Sequence, residues 1–166
     1  MVAQNVAFWI FAVVIAAGAI RVVTTRNLVH AALFLVAVLI GTAAEFFLLA
    51  AEFVGWVQVL IYVGAIAVLF IFGIIVTRAP MQPASYDNDQ RIAAALAALL
   101  LLGVLIVMLV DAFGDREIKV ADDLLATGQA GTVGDSIFRS FVVPFEVVSM
   151  LLLAALIGAV AIARRD

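Results

Sequence analysis

Five long apolar runs divide this chain, and short polar stretches separate them. The runs cover 6–23, 28–49, 53–77, 92–110 and 138–163. At about 1.5 Å of rise per residue, roughly 17–25 apolar residues in a helix cross a hydrocarbon layer about 30 Å thick. Each run is at least that long, so the pattern predicts an all-α integral membrane protein with five transmembrane helices in one membrane domain, 1–166. Arg21 and Arg26 follow the first run and no basic stretch precedes it. A cleaved leader has the reverse layout, so the first run is predicted to remain as a span. Asn27 is placed to cap the second helix, because its side chain accepts from orphan first-turn amides. The link at 50–52 is so short that spans two and three must be antiparallel neighbours. Pro80, Pro83, Ser85, Asp87, Asn88 and Asp89 mark a polar loop at 78–91. A longer external loop, 111–135, is acidic, with a short surface helix expected at 120–127. The fifth run is interrupted by Pro144, where a kink is predicted because proline removes an interior helix hydrogen bond.

Composition reinforces the pattern. The 166 residues are 67% hydrophobic and only 13% charged, whereas an ordinary soluble domain is about half apolar and a quarter charged. Too little polar surface exists to coat a water-soluble globule, so the lipid bilayer is the expected solvent. A net charge of −3 gives no basic footprint, and no nucleic-acid partner is expected. There is no cysteine and a single histidine, His30. Thiolate metal sites, iron–sulfur ligation and a cysteine nucleophile are thereby excluded. No catalytic, cofactor-binding or metal-ligating residue is expected in this chain. Lysine and arginine set the orientation. Arg21, Arg26, Arg78, Arg91, Arg164 and Arg165 fall on one side of a five-span chain, against Arg116, Lys119 and Arg139 on the other. That bias predicts an outside N-terminus and a cytoplasmic C-terminus.

A few polar groups inside or beside the spans need an account. Gln58 and Tyr62 are four apart and are expected on one face of the third helix. They are either glue between packed spans or the border of a water-filled path. Gly64, in the same helix, serves close backbone approach or an irregular turn. Glu146 lies about one turn inside the fifth span, two residues after Pro144. It is either a snorkelling, water-facing carboxylate or part of a polar cavity. Glu45 and Glu52 are expected to be interfacial carboxylates in water, and His30 an interfacial or hydrogen-bonded histidine. Ala155, Ala159 and Ala163, with Ala154 and Gly158, form small-residue seams that suit helix packing.

Three segments resemble one family. Arg21-Val22-Val23-Thr24 with Asn27-Leu28-Val29-His30-Ala31 resembles the first loop of subunit J of NADH-quinone oxidoreductase, the bacterial counterpart of chain 6 of respiratory complex I. The block from Glu52 to Phe72, with Gln58-Val59-Leu60-Ile61-Tyr62-Val63-Gly64-Ala65-Ile66 and Val68-Leu69-Phe70, is similar to the third helix of that family. Pro144-Phe145-Glu146-Val147-Val148-Ser149-Met150-Leu151-Leu152-Leu153-Ala154 is similar to its fifth. The resemblance implies five transmembrane helices in the bacterial inner membrane, beside the quinone-site subunit and other small membrane subunits. It implies FMN, iron–sulfur clusters and quinone in other subunits and none bound here. It also implies a π-bulge near Tyr62, Val63 and Gly64, in a helix that switches between π and α forms and so makes or breaks a water path. Gln58, Tyr62, Val63, Gly64 and Glu146 are then the coupling and water-path residues. Some members carry a glutamate where this chain has Gln58, and a glutamine releases no proton.

The expected function is therefore a membrane-arm subunit of a proton-translocating NADH-quinone oxidoreductase, coupling quinone reduction to proton translocation through a bistable third helix. One alternative is the same subunit in a complex I relative with another electron donor, such as a photosynthetic or F(420)-type dehydrogenase or a membrane hydrogenase. A stand-alone transporter component is a third reading, weakened because its sole candidate carboxylate, Glu146, lies off centre. A purely structural assembly subunit is the fourth.

Overall fold

A computed structural model describes residues 2–77, 90–114 and 127–164, with Arg91 described by its backbone alone. Among them lie five helices long and apolar enough to cross a membrane: Val2–Thr24, Leu28–Leu48, Glu52–Val76, Ile92–Phe113 and Val142–Ala163. We label the elements α1 (Val2–Thr24), α2 (Leu28–Leu48), α3 (Glu52–Val57), π1 (Gln58–Ala67), α4 (Val68–Val76), α5 (Arg91–Phe113), α6 (Ala130–Ser140) and α7 (Val142–Ala163). The third span is thus one rod, α3–π1–α4. The loop expected at 78–91 and the surface helix expected at 120–127 fall mostly outside the described residues.

α2 starts as the sequence predicts. Asn27 Oδ1 accepts from the amides of Val29 at 2.9 Å and His30 at 3.3 Å, meeting two of the orphan donors of a first turn. α2 ends in a Schellman turn. The Ala51 amide donates to Phe46 O at 2.9 Å and the Ala50 amide to Phe47 O at 3.1 Å, the paired 6→1 and 5→2 bonds of that motif. Ala50 occupies the left-handed position with φ 58°. An L-residue there costs about 1–2 kcal/mol that glycine avoids. Ala50→Gly should stabilise the chain by up to about 1 kcal/mol. Thermal unfolding of the detergent-extracted protein should then shift upward by about 2–4 °C.

α1 and α2 pack through small residues. A Cβ on Gly18 would approach Val38 Cγ2 to 2.8 Å, and one on Gly41 would approach Ile15 Cγ1 to 2.6 Å. Close approach of this kind is the usual route to helix association in lipid, where burial of apolar surface drives little. On its other side α2 meets α3, π1 and α4. Ala32 and Ala43 of α2 and Ala67 of π1 are each only 2% exposed. The packed centre of the described residues is therefore α2 between span one and span three.

The fifth span differs from expectation. Residues 138–140 belong to α6, which stops at Phe141 (φ −122°, ψ 29°) before α7 begins at Val142. Pro144 is the third residue of α7. In a first turn its missing N–H had no intrahelical acceptor to lose. Pro144 therefore starts a helix and kinks none. Phe138 of α6 stacks edge-on against Phe145 of α7, with ring centroids 5.2 Å apart. Arg139 and Ser140 mark the break, but the apolar Phe138 before them and Phe141 and Val142 after them let the stretch read as one run. The fourth helix also continues to Phe113, so Asp111 lies in its last turn rather than in the loop.

α5 packs on none of the other described helices, and α7 packs on α6 alone. Both expose large apolar side chains along their length, from Leu99 and Leu105 to Leu151 and Leu156. Such surfaces suit lipid or neighbouring helices.

Candidate functional site

The ten residues Gln58–Ala67 form a π-helix in the middle of an apolar span. π-helices are rare, and those that occur are mostly single-turn bulges at functional sites. The i→i+5 bonding widens each turn to somewhat over four residues, so nine residues make about two turns. In an α-helix nine residues make two and a half turns and emerge on the opposite face. Gln58 and Ala67 are nine apart, and both are buried, at 7% and 2% exposure. The π winding turns both toward α2.

Gln58 is the sole buried polar residue among those described. Its Nε2 donates to Leu39 O on α2 at 3.4 Å. That is a long contact, consistent with the few tenths of a kcal/mol that interhelical polar pairs contribute in membranes. Ala32 lies seven residues before Leu39, two turns away on the same face of α2. The antiparallel register fixed by the Gln58–Leu39 contact places Ala67 at a similar depth to Ala32.

Gly64 answers to the π turn itself. A Cβ there would sit 3.3 Å from Val59 O, five residues back. Glycine lets the widened turn close without that crowding, which no smooth α-helix would require. Gly64 faces outward, so its surface is open to a neighbour as well.

The structure brings together some of the expected site residues and separates others. Gln58 points at α2. Tyr62 is 46% exposed, so the two do not form one buried polar face. The physical reason is the winding: moving from 3.6 to somewhat over four residues per turn swings position 62 from one side of Gln58 to the other. Val63 is half-buried. Glu146 is exposed in the second turn of α7, and α7 makes no contact with α2 or π1. Its backbone oxygen accepts from Ser149 Oγ at 2.7 Å.

The carboxylates of the α2–α3 corner also part company. Glu52 is exposed at the start of α3, where a negative charge suits the helix N-terminus. Glu45 does not lie in water as expected. Both its carboxylate oxygens are shielded, and neither has a hydrogen-bond partner among the described residues. Its position near a span end concealed this, because depth along a helix says nothing of which face a side chain takes.

The segment before α6 closes the N-terminal end of the third span. Gly128 O accepts from the Phe53 amide at 3.0 Å, meeting an orphan donor of the first turn of α3. Nothing in the sequence pattern marks Gly128 for this task.

Five spanning helices, one of them π-wound, with one buried glutamine and one shielded carboxylate define a multi-pass helical membrane protein. Residues 18–162 match the NADH-ubiquinone/plastoquinone oxidoreductase chain 6 family. The chain is 36% identical to NAD(P)H-quinone oxidoreductase chain 6 of Leptolyngbya boryana, over 98% of this chain and 81% of that one. It is 34% identical to NADH-quinone oxidoreductase subunit J of Pseudomonas aeruginosa, over 96% of each. It is also 34% identical to F(420)H(2) dehydrogenase subunit J of Methanosarcina mazei, over 98% of this chain and 92% of that one. The chain belongs to the chain 6, or subunit J, family of NADH-quinone oxidoreductases, the respiratory complex I family.

Proposed function

We propose that this chain is a membrane-arm subunit of a proton-translocating NADH-quinone oxidoreductase in a bacterial inner membrane, and that its third span couples quinone reduction to proton translocation. The observation that carries the reading is the π segment Gln58–Ala67 inside that span. Ten residues make nearly three turns as α and little more than two as π. Conversion of π1 to α would turn α4 by about half a turn relative to α3. Ala67 would leave the α2 face and a bulkier side chain would take its place. The bistable element is then π1 itself, and quinone chemistry in a neighbouring subunit biases it. Gln58 and Tyr62 organise water beside it, and Gly64 permits the winding. Glu146 serves a hydrated spot against a neighbouring subunit, since it stands apart from π1 within this chain.

In this reading FMN, the iron–sulfur clusters and quinone are held by other subunits, and this chain contributes no redox group. The exposed faces of α5 and α7 take the quinone-site subunit and the small membrane subunits as neighbours. The arginine bias supports an outside N-terminus and a cytoplasmic C-terminus. A second reading, the same subunit with another electron donor, draws support from the 34% identity to the F(420)H(2) dehydrogenase subunit.

Gly64→Leu in the intact complex tests the coupling role. The added side chain crowds Val59 O and disfavours the π turn. The expected result is normal assembly, quinone reduction within about twofold of the parent, and proton translocation per quinone at least halved. Normal translocation in assembled complex would sink the proposal. Mass spectrometry of what co-purifies with a C-terminal tag identifies the electron-input partners.

A further inference from the structure

Glu45 is a half-buried acid with both carboxylate oxygens shielded, and the helix-switch reading does not use it. Val38, Gly41 and Glu45 recur at i, i+3 and i+7, so they share one face of α2. Val38 and Gly41 of that face lie against Gly18 and Ile15 of α1. Helical spacing therefore carries Glu45 into the seam between α1 and α2, one turn beyond Gly41. About one turn further out, Gln4 Nε2 donates to Leu48 O at 2.7 Å and bridges the mouth of the seam.

Two observations restrict what this carboxyl can do. Its oxygens have no donor among the described residues, and they are shielded by this chain alone. A basic group on a neighbouring subunit therefore has no route to them without moving α1 or α2. A bare carboxylate held away from donors is unfavourable. What reaches it is what fits a closed seam: water and a proton. The other titratable or charged groups on the elements packed against α2 are Arg21 on α1, Glu52 on α3 and Tyr62 on π1; α4 carries none. Arg21 is at the opposite end of α1, and Glu52 and Tyr62 are exposed.

We propose that Glu45 is a proton-exchanging carboxyl built into the α1–α2 seam, supplying this subunit with the protonatable group that Gln58 is not. The step is a proton transfer alone. An O–H bond forms on one carboxylate oxygen as a hydronium ion becomes water, and it breaks when the proton returns to water. Gln4 guards the outer access, and displacement of α2 by π1 opens or closes the inner one. The inference rests on the coupling role proposed above.

The test uses the intact complex reconstituted in lipid vesicles, with Glu45→Gln and Glu45→Leu variants. Glu45→Gln is expected to assemble, to reduce quinone at a near-normal rate, and to translocate at least twofold fewer protons per quinone. The redox-induced infrared difference spectrum of the parent complex should contain a carboxylic acid carbonyl band that Glu45→Gln lacks. Full coupling in Glu45→Gln, or an unchanged band, overturns the proposal. Glu45→Leu suits an apolar seam and is the second variant. Its assembly with undiminished coupling overturns the proposal even where Glu45→Gln does not assemble, and its assembly uncoupled supports it. A parent complex with no redox-linked carboxyl band overturns it with no variant needed. Normal coupling in Gly64→Leu beside lost coupling in Glu45→Gln removes the helix switch and retains the proton site, and the reverse pattern removes the proton site alone.

Discussion

Gly128→Val should shift the folding equilibrium against the native state by roughly 30-fold or more and so lower recovery of the assembled complex, while Gly131→Val three residues later should leave it near normal. A Cβ on Gly128 would overlap the Ala50 carbonyl oxygen and come within 3.1 Å of Ala51 Cα. These are backbone atoms of the Schellman turn between α2 and α3, and they have no rotamer with which to yield. The segment must lift away. Phe53 N–H then loses its acceptor, which costs about 1–3 kcal/mol where water cannot replace it. Overpacking a rigid site adds about 1–3 kcal/mol. A combined loss of about 2 kcal/mol or more is a factor of 30 or more in a folding equilibrium. Nothing lies within 4 Å of a Cβ placed on Gly131, so that substitution controls for the general effect of valine in this region. Native electrophoresis of the extracted complex, compared with total chain by immunoblot, reads the outcome.

In the proposed coupling, that contact also gives the segment before α6 a part. Gly128 caps the first turn of α3, and α3 runs directly into π1. The N-terminal end of the third span is thereby anchored, so in the proposed switch a rewinding of π1 would turn α4 rather than being lost by rotation of the whole rod.

How much of this was legible follows from what hydropathy can register. Run length places five spans because the bilayer sets a length that apolar residues must satisfy. Asn27 declares its cap because an amide side chain before an apolar run has one local task. The start of the fifth span is misread because Arg139 and Ser140, the polar end of α6, are only two residues between Phe138 and Phe141. The π winding is invisible to periodicity, since Val59, Leu60, Ile61, Val63, Ala65 and Ile66 are apolar at any period. The family resemblance implied a bulge near Tyr62 and Gly64, and the described segment extends across Gln58–Ala67. Glu45 and Gly128 stayed hidden for a different reason. Their roles depend on α1 and on the α2–α3 corner, which no local stretch of sequence contains.

Ala67→Leu should uncouple the complex most strongly among substitutions in the third span, with proton translocation per quinone falling about tenfold and assembly retained. Ala67 is 2% exposed against α2, and it reaches that face only through the π winding. A leucine there has two outcomes. It forces α2 from the third span at about 1–3 kcal/mol of overpacking, or π1 rewinds to α and carries position 67 to the opposite face. Rewinding takes the leucine off the α2 face, and Gly64 loses nothing by it, so the α form is the expected result. Ala65→Leu, at an exposed position, should couple normally. The absence of cysteine from the chain allows a direct reading of register. Ala32→Cys combined with Ala67→Cys should form a disulfide in the parent background, because both positions are buried at similar depth on facing helices. Adding Ala65→Leu should preserve that cross-link, while Gly64→Leu, which favours the α form, should reduce it several-fold. An undiminished cross-link in Gly64→Leu would show that position 67 keeps its face, and the half-turn of α4 would then be no part of how this subunit works.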